Sequence, residues 1–310
     1  MKLISVLTAC FNEEENIREL YAQVKNVFQD LSQYRYEHIF IDNASTDRTV
    51  AILKDIARQD KNIKIIVNTR NFGHIRSPFH GLLQCRGDAV ISIVADLQDP
   101  PILIKDFIRK WEEGYKVVVG VKQQSKESKL MFFIRRCYYH FITKISEVEL
   151  VKNFTGFGLY DKEVMNILRQ IDDPYPYFRG LISELGFDIA QVSYMQPKRE
   201  HGVTKNNFYT LYDMAILGVT SHSKLPIRII AIGGFFLSFM SFFITLIFVM
   251  LKLIFWQKFG MGIAPILIGL FFFSSVQLFF IGLVGEYIAA INTKVLHRPL
   301  VIEKERINFI

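Results

Sequence analysis

The sequence predicts an α/β domain on a mostly parallel sheet, then amphipathic interface helices and two transmembrane helices. Three observations carry this prediction. Short β-branched runs alternate with helical patterns over residues 1–122, acids recur where those runs end, and two long uncharged stretches lie near the C-terminus. Alternation of this kind argues for a parallel sheet covered on both faces.

The strand-like runs are Leu3–Thr8, His38–Asp42, Ile63–Asn68, Ala89–Val94 and Lys116–Val121. A helix is expected over Glu13–Leu31, with Asn12 as N-cap and Glu15 at the third helical position, as in a capping box. Thr46–Arg58, Ser77–Gln84 and Pro101–Glu113 fill the remaining gaps as helices. Leu130–Ile145 carries an apolar stripe opposite Lys129, Arg135, Arg136 and Lys144, which suits a helix lying on an anionic membrane or a core helix with a basic outer face. Phe208–Val219 carries a second stripe.

Ile229–Leu251 and Phe259–Gly285 contain no charge. As helices they would extend roughly 34 and 40 Å, enough for a hydrocarbon core of about 30 Å. Basic residues crowd the flank before the first stretch (Lys198, Arg199, Lys205, Lys224, Arg228) and the tail (Lys294, Arg298, Lys304, Arg306), against Lys252 and Lys258 between them. The positive-inside rule then expects a multi-pass protein of the cytoplasmic membrane: a cytoplasmic catalytic domain over 1–228, a transmembrane hairpin over 229–285 and a cytoplasmic tail over 286–310. The N-terminal apolar run is too short for a signal peptide and passes directly into acids.

Half the residues are hydrophobic and 22% are charged, with a mean hydropathy of +0.21, which excludes overall disorder. The formal charge of +7 suits an anionic partner. Three dispersed cysteines exclude a disulfide framework, and no Cys-x-x-Cys or His-Glu-x-x-His occurs. Neither a Gly-x-Gly-x-x-Gly after the first strand nor a P-loop is present.

In open α/β sheets ligands bind beyond the carboxyl ends of the strands. The loops there bring Glu13 and Glu14, Asp42, and Asp96 with Asp99. Asp42 and Asp47 serve equally well as helix caps. Several acid-bearing loops at one sheet edge also suit ribose hydroxyls, or a divalent ion bridging phosphates.

The motifs "NEEENI", "IDNASTDRT", "NTRNFG", "ADLQDPP", "NFTGFGLYD" and "REHGVTK", in this order before two apolar stretches, resemble the family-2 glycosyltransferases of GT-A fold. More narrowly they resemble polyprenyl-phosphate glycosyltransferases such as the bactoprenol glucosyltransferases and dolichyl-phosphate mannose synthase. The resemblance covers essentially the whole chain. It implies a nucleotide-sugar held by Ala9, Phe11, Glu13, Glu14, Asp42, Asn71, Asp96 and Lys122, and Mg²⁺ or Mn²⁺ held by Asp96 and Gln98. It implies catalytic roles for Asp96, Arg199 and Lys205, and phosphate or lipid contacts from Arg135, Arg136, Arg199, Gly202, Thr204 and Lys205. The Gly-rich "NFTGFGLYD" is expected to turn before Asp161 and close the sugar pocket.

Two departures from the family pattern stand out. Ala9 replaces a usual proline, and Val94 replaces the first acid of a usual Asp-x-Asp pair. Asp96 and Gln98, with Asp99 in reserve, are left to hold the metal, unless Val94 simply faces the sheet core. The basic run Arg199–Lys205 reads either as a membrane flank or as a phosphate grip, and the family pattern favours the grip.

The resemblance thus implies inverting transfer of a sugar, with glucose and UDP expected, to polyprenyl phosphate for cell-envelope glycans. Partners are the nucleotide-sugar, the lipid phosphate and the membrane, with no nucleic acid and a homo-oligomer left open. A degenerate binding relative and a polysaccharide synthase are the alternatives. The second would carry Gln-x-x-Arg-Trp, and neither Trp111 nor Trp256 follows an arginine.

Overall fold

A computed structural model describes residues 1–123, 151–197, 225–255, 263–296 and 298–309, together with Leu217. The interface helices expected near 128–148 and 207–223 lie outside the described residues, Leu217 excepted. So do Arg135, Arg136, Arg199, Gly202, Thr204 and Lys205.

Strands and helices alternate as β1 (Leu3–Cys10), α1 (Ile17–Gln29), β2 (Arg35–Asp42), α2 (Thr49–Gln59), β3 (Ile63–Asn68), α3 (Gly73–Gln84) and β4 (Ala89–Val94). A 3-10 turn at Pro101–Leu103 leads into α4 (Ile104–Glu112), followed by β5 (Val117–Lys122). Then come β6 (Phe154–Asp161), α5 (Lys162–Leu168), α6 (Phe178–Glu184), β7 (Ile189–Tyr194), the long helices α7 (Leu225–Ile254) and α8 (Ile263–Val295), and β8 (Glu303–Ile307).

The sheet order is β7-β5-β6-β4-β1-β2-β3-β8. Its centre, β4-β1-β2-β3, is parallel, so four strands end on one edge. The central strands are nearly continuous apolar runs because both faces are covered. Ile17, Leu20, Leu53 and Phe107 from α1, α2 and α4 bury one face. Phe79, Leu82, Met165, Leu168 and Ile182 from α3, α5 and α6 bury the other.

Three expectations are corrected. First, α1 begins at Ile17, not Glu13. Asn12 sits at φ 56° and its carboxamide accepts the N–H of Thr46 in the next loop at 2.8 Å, so it caps a neighbour and the capping box does not form. Second, "NFTGFGLYD" is strand β6, antiparallel to β4 and β5, and not a turn. Gly158 serves close approach there, since a Cβ would lie 2.4 Å from the Val118 carbonyl oxygen. Third, the tail carries a strand that the sequence did not suggest: β8 adds antiparallel to β3, pairing Ile65 with Ile307.

Among the described residues, Phe272–Val295 in α8 is long and apolar enough to cross a membrane, although it runs past the second uncharged stretch to take in Glu286 and Lys294, while Ile230–Ile244 in α7 is a shorter apolar segment. Phe235, Phe236, Phe272 and Phe279 stand exposed along these helices, a large apolar surface for a chain in water.

Candidate functional site

After each of β1 to β4 the chain passes through one residue in the left-handed region: Asn12 (φ 56°), Ala44 (φ 64°), Gly73 at the start of α3 (φ 87°) and Leu97 (φ 59°). For alanine and leucine that conformation costs about 1–2 kcal/mol, so the surrounding contacts must enforce it.

In the first three loops those contacts are side chains of one loop capping the backbone of the next. Asn12 N–H donates to Ser45 Oγ at 2.8 Å, Glu13 N–H to Thr49 Oγ1 at 2.9 Å and Glu14 N–H to Asp47 Oδ2 at 3.2 Å. In return the Glu14 carboxylate accepts the Arg48 N–H at 2.9 Å. Asn43 bridges to the third loop: its Nδ2 donates to Asn71 Oδ1 at 2.9 Å, and its Oδ1 accepts from Phe72 N–H at 2.9 Å and Asn68 Nδ2 at 3.2 Å. Asn43, Ser45, Thr49 and Asn68 were missed from sequence because each acts across loops.

Among the sequence-predicted residues, Asp42 is fully buried and its Oδ2 accepts the Ser45 N–H at 2.9 Å inside the loop, so it does not cap α2, which begins only at Thr49. Burial holds its carboxyl above the usual range. Glu13 holds Asn16 Nδ2 at 2.6 Å, and Asn71 is exposed with its carboxamide oxygen bonded inside the loop. Ala9 pairs with Val94 across β1 and β4, and Cys10 with Asp42 across β1 and β2, so these positions line up along the strand ends.

Val94 is 42% exposed, which overturns the reading that it faces the sheet core. Beyond it the Gln98 N–H bonds Asp96 Oδ1 at 3.1 Å, closing a tight turn over Leu97. Asp99 then tucks inward, 1% exposed, and Tyr194 of β7 donates its O–H to Oδ1 at 2.7 Å. Its Oδ2 is buried without a hydrogen-bond partner. Burial is the main cause that raises the Asp99 carboxyl, Asp96 adds to the rise, and Tyr194 and the Lys122 ammonium oppose it. Asp96 and Lys122 therefore each lie close enough to Asp99 for their charge to act on it.

A cavity of about 430 Å³ opens here, lined by Ala9, His74, Val94, Asp99, Thr155 and Arg179 among others. Such a volume lies within the range of small-ligand sites. Thr155 and Arg179 were not foreseen, although "NFTGFGLYD" pointed to this wall.

Among the described residues no group of three or more His, Cys, Asp or Glu is arranged around a metal position. The donors present still fit a divalent ion. Mg²⁺ takes one or two carboxylates and completes its shell with water and substrate phosphate. Asp96, Gln98 and the orphaned Asp99 Oδ2 provide that chemistry.

The glycosyl transferase family 2 model matches residues 5–167. A bactoprenol glucosyl transferase of Shigella phage SfV is 33% identical over 302 residues, covering 97% of this chain and 98% of its own. An uncharacterized glycosyltransferase of Bacillus subtilis (strain 168) is 32% identical over 301 residues, 96% of this chain and 92% of the relative. A crystal structure of a mycobacterial protein shares the fold with a TM-score of 0.51 at 18% identity, covering 71% of this chain and 73% of that one.

Proposed function

Because the chain belongs to glycosyl transferase family 2 and is a glycosyltransferase, we propose that it moves a sugar, glucose, from UDP to polyprenyl phosphate at a membrane. The observation that carries this reading is the cavity at the strand ends, in a chain that aligns over 97% of its length with a bactoprenol glucosyl transferase.

In this reading the work divides as follows. The nucleotide lies over the loops after β1, β2 and β3, and the sugar enters the cavity between Val94, Thr155 and Arg179. The acceptor phosphate is ionised at neutral pH, so no strong general base is required. The burden is charge on the departing diphosphate, which preorganised positive groups stabilise. Asp96, Gln98 and Asp99 would hold Mg²⁺ or Mn²⁺, which when bound supplies part of that charge. Lys122, near Asp99, adds a cation, and Arg199 and Lys205 are proposed to grip phosphate with Gly202 and Thr204. Arg135 and Arg136 are proposed to meet lipid phosphate.

The pairing of β8 with β3 supports a two-span hairpin. A tail that completes the sheet lies on the same side of the bilayer as the sheet, so the chain between them crosses an even number of times. With Phe272–Val295 as one crossing, α7 supplies the other.

The test uses the purified full chain in detergent with polyprenyl phosphate, a panel of nucleotide-sugars and either metal. Release of nucleoside diphosphate together with a glycosylated lipid is expected, fastest with UDP-glucose. Release without a lipid product, or no turnover of any donor, would overturn the proposal.

A further inference from the structure

Where α3 meets the segment after α8, three arginines gather without an acid. The guanidinium carbon of Arg70 lies 4.1 Å from the centroid of the Phe72 ring, and that of Arg76 lies 5.6 Å from the same ring. Arg76 also donates through Nη2 to the Pro299 carbonyl, which brings it beside Arg298. The nearby acids are committed elsewhere: Glu303 to His80 and Arg306, Glu305 to Lys54, and Asp173 to Lys294. Among the described residues no carboxylate pairs with Arg70, Arg76 or Arg298.

Like charges repel, and stacking on Phe72 offsets only about 0.5–2 kcal/mol for each cation. Burial, then the charges of Arg70 and Arg298, press the Arg76 guanidinium below its ordinary value, and Tyr175 opposes them. Arg76 Nε is buried with no hydrogen-bond partner. Guanidinium forks match phosphate oxygens in pairs, so an anionic phosphate group answers both the repulsion and the unused donor.

The position says which phosphate. Arg298 is exposed and follows α8, whose apolar segment ends at Val295. We propose that Arg70, Arg76 and Arg298 form a binding site for the phosphate of a membrane lipid at the foot of α8. The inference rests on the membrane part of the proposed function. One face of α3 carries His74, Ile75, Pro78 and Phe79 into the cavity. Its other face bears Arg76 against Pro299 and His80 against Glu303. A lipid seated here therefore ties the membrane helix to the helix that walls the cavity.

Lysine substitutions separate a site from general attraction. An anionic surface attracts Lys and Arg alike, whereas a fork-matched site does not accept an ammonium. The full chain in zwitterionic detergent, without donor or metal, is titrated with phosphatidylglycerol, phosphatidylcholine, a polyprenyl phosphate and inorganic phosphate. Binding is read by thermal shift and by native mass spectrometry. The wild type is expected to bind phosphatidylglycerol or the polyprenyl phosphate, and not phosphatidylcholine. Arg70→Lys with Arg76→Lys should lose at least tenfold in that affinity, with the unliganded melting temperature unchanged. Arg298→Lys, at an exposed position, should weaken binding without any effect on folding. Whichever lipid loses affinity identifies the phosphate's source. Wild-type lipid affinity in the lysine variants, or inorganic phosphate matching the lipid, would overturn the site. Because no sugar transfer is involved, failure of the transfer assay leaves this result standing, and the reverse holds too.

Discussion

Tyr194 donates its hydroxyl to Asp99 Oδ1 at 2.7 Å, and so fixes a carboxylate whose second oxygen is buried without a partner. A strand from the far end of the sheet thus orients an acid in the loop after β4. Asp99→Asn keeps an acceptor for Tyr194 and replaces only the orphaned oxygen or its charge. With UDP present, Mn²⁺ affinity followed by paramagnetic resonance should fall at least tenfold, about 1.4 kcal/mol. Unchanged affinity would return Asp99 to a purely structural role.

Asp96 sits in the same turn, with one oxygen holding the Gln98 N–H. Asp96→Asn retains that bond and removes the charge. Turnover should drop at least tenfold at saturating metal while the melting temperature holds. Wild-type turnover would mean that Asp96 shapes the loop only.

Val94 stands 42% exposed at the mouth of the cavity, so an acid there needs no burial of charge. Val94→Asp should fold normally and tighten metal binding by restoring the pair of acids usual in the family. Metal affinity equal to wild type would show that position 94 does not face the ion.

What the sequence revealed and what it hid follow one physical line. β3 and β4 match their apolar runs residue for residue, because buried parallel strands leave an unambiguous local pattern. The strand-end loops were legible through their acids and turn residues. The start of α1 was not, since Asn12 spends its carboxamide on Thr46 in another loop. β6 was hidden by glycines whose reason is the Val118 carbonyl across the sheet. β8, written Glu-Lys-Glu-Arg-Ile, has no apolar alternation to announce a strand, and only the open edge of β3 makes it one. In the site the acids were foreseen, whereas the Asn43–Asn68–Asn71 lattice and the Arg179 wall depend on contacts between distant segments.

Asn308 clasps the tail to the domain. At φ 60°, its Nδ2 donates to the carbonyls of Ala57 and Ile63, each at 2.8 Å. Asn308→Ala removes both bonds and leaves a residue poorly suited to the left-handed region. A loss of about 2–3 kcal/mol is expected, seen as a lower melting temperature. Asn308→Gly should lose less, because glycine accepts that backbone. Equal melting of wild type and the alanine variant would show that β8 does not depend on this clasp.

His38 gives the domain a defined acid weakness. It is fully buried, with Nε2 and the Thr8 hydroxyl 2.9 Å apart and its ring stacked 4.0 Å from Phe40. Burial presses its pKa from 6.5 down to about 3. Between those values the unfolded chain binds the proton and the folded chain does not, so stability falls as pH drops through that window. The slope from one such group approaches about 1.4 kcal/mol per pH unit. Asp42 and Asp99, whose carboxyls burial holds up, act in the opposite sense over their own range, but they are common to both proteins in a comparison with His38→Gln. The stability difference between wild type and His38→Gln should therefore shift against the wild type by about 1.6 kcal/mol from pH 6.5 to pH 5, measured by melting in detergent. A difference that stays constant across that range would show that His38 takes up its proton without unfolding.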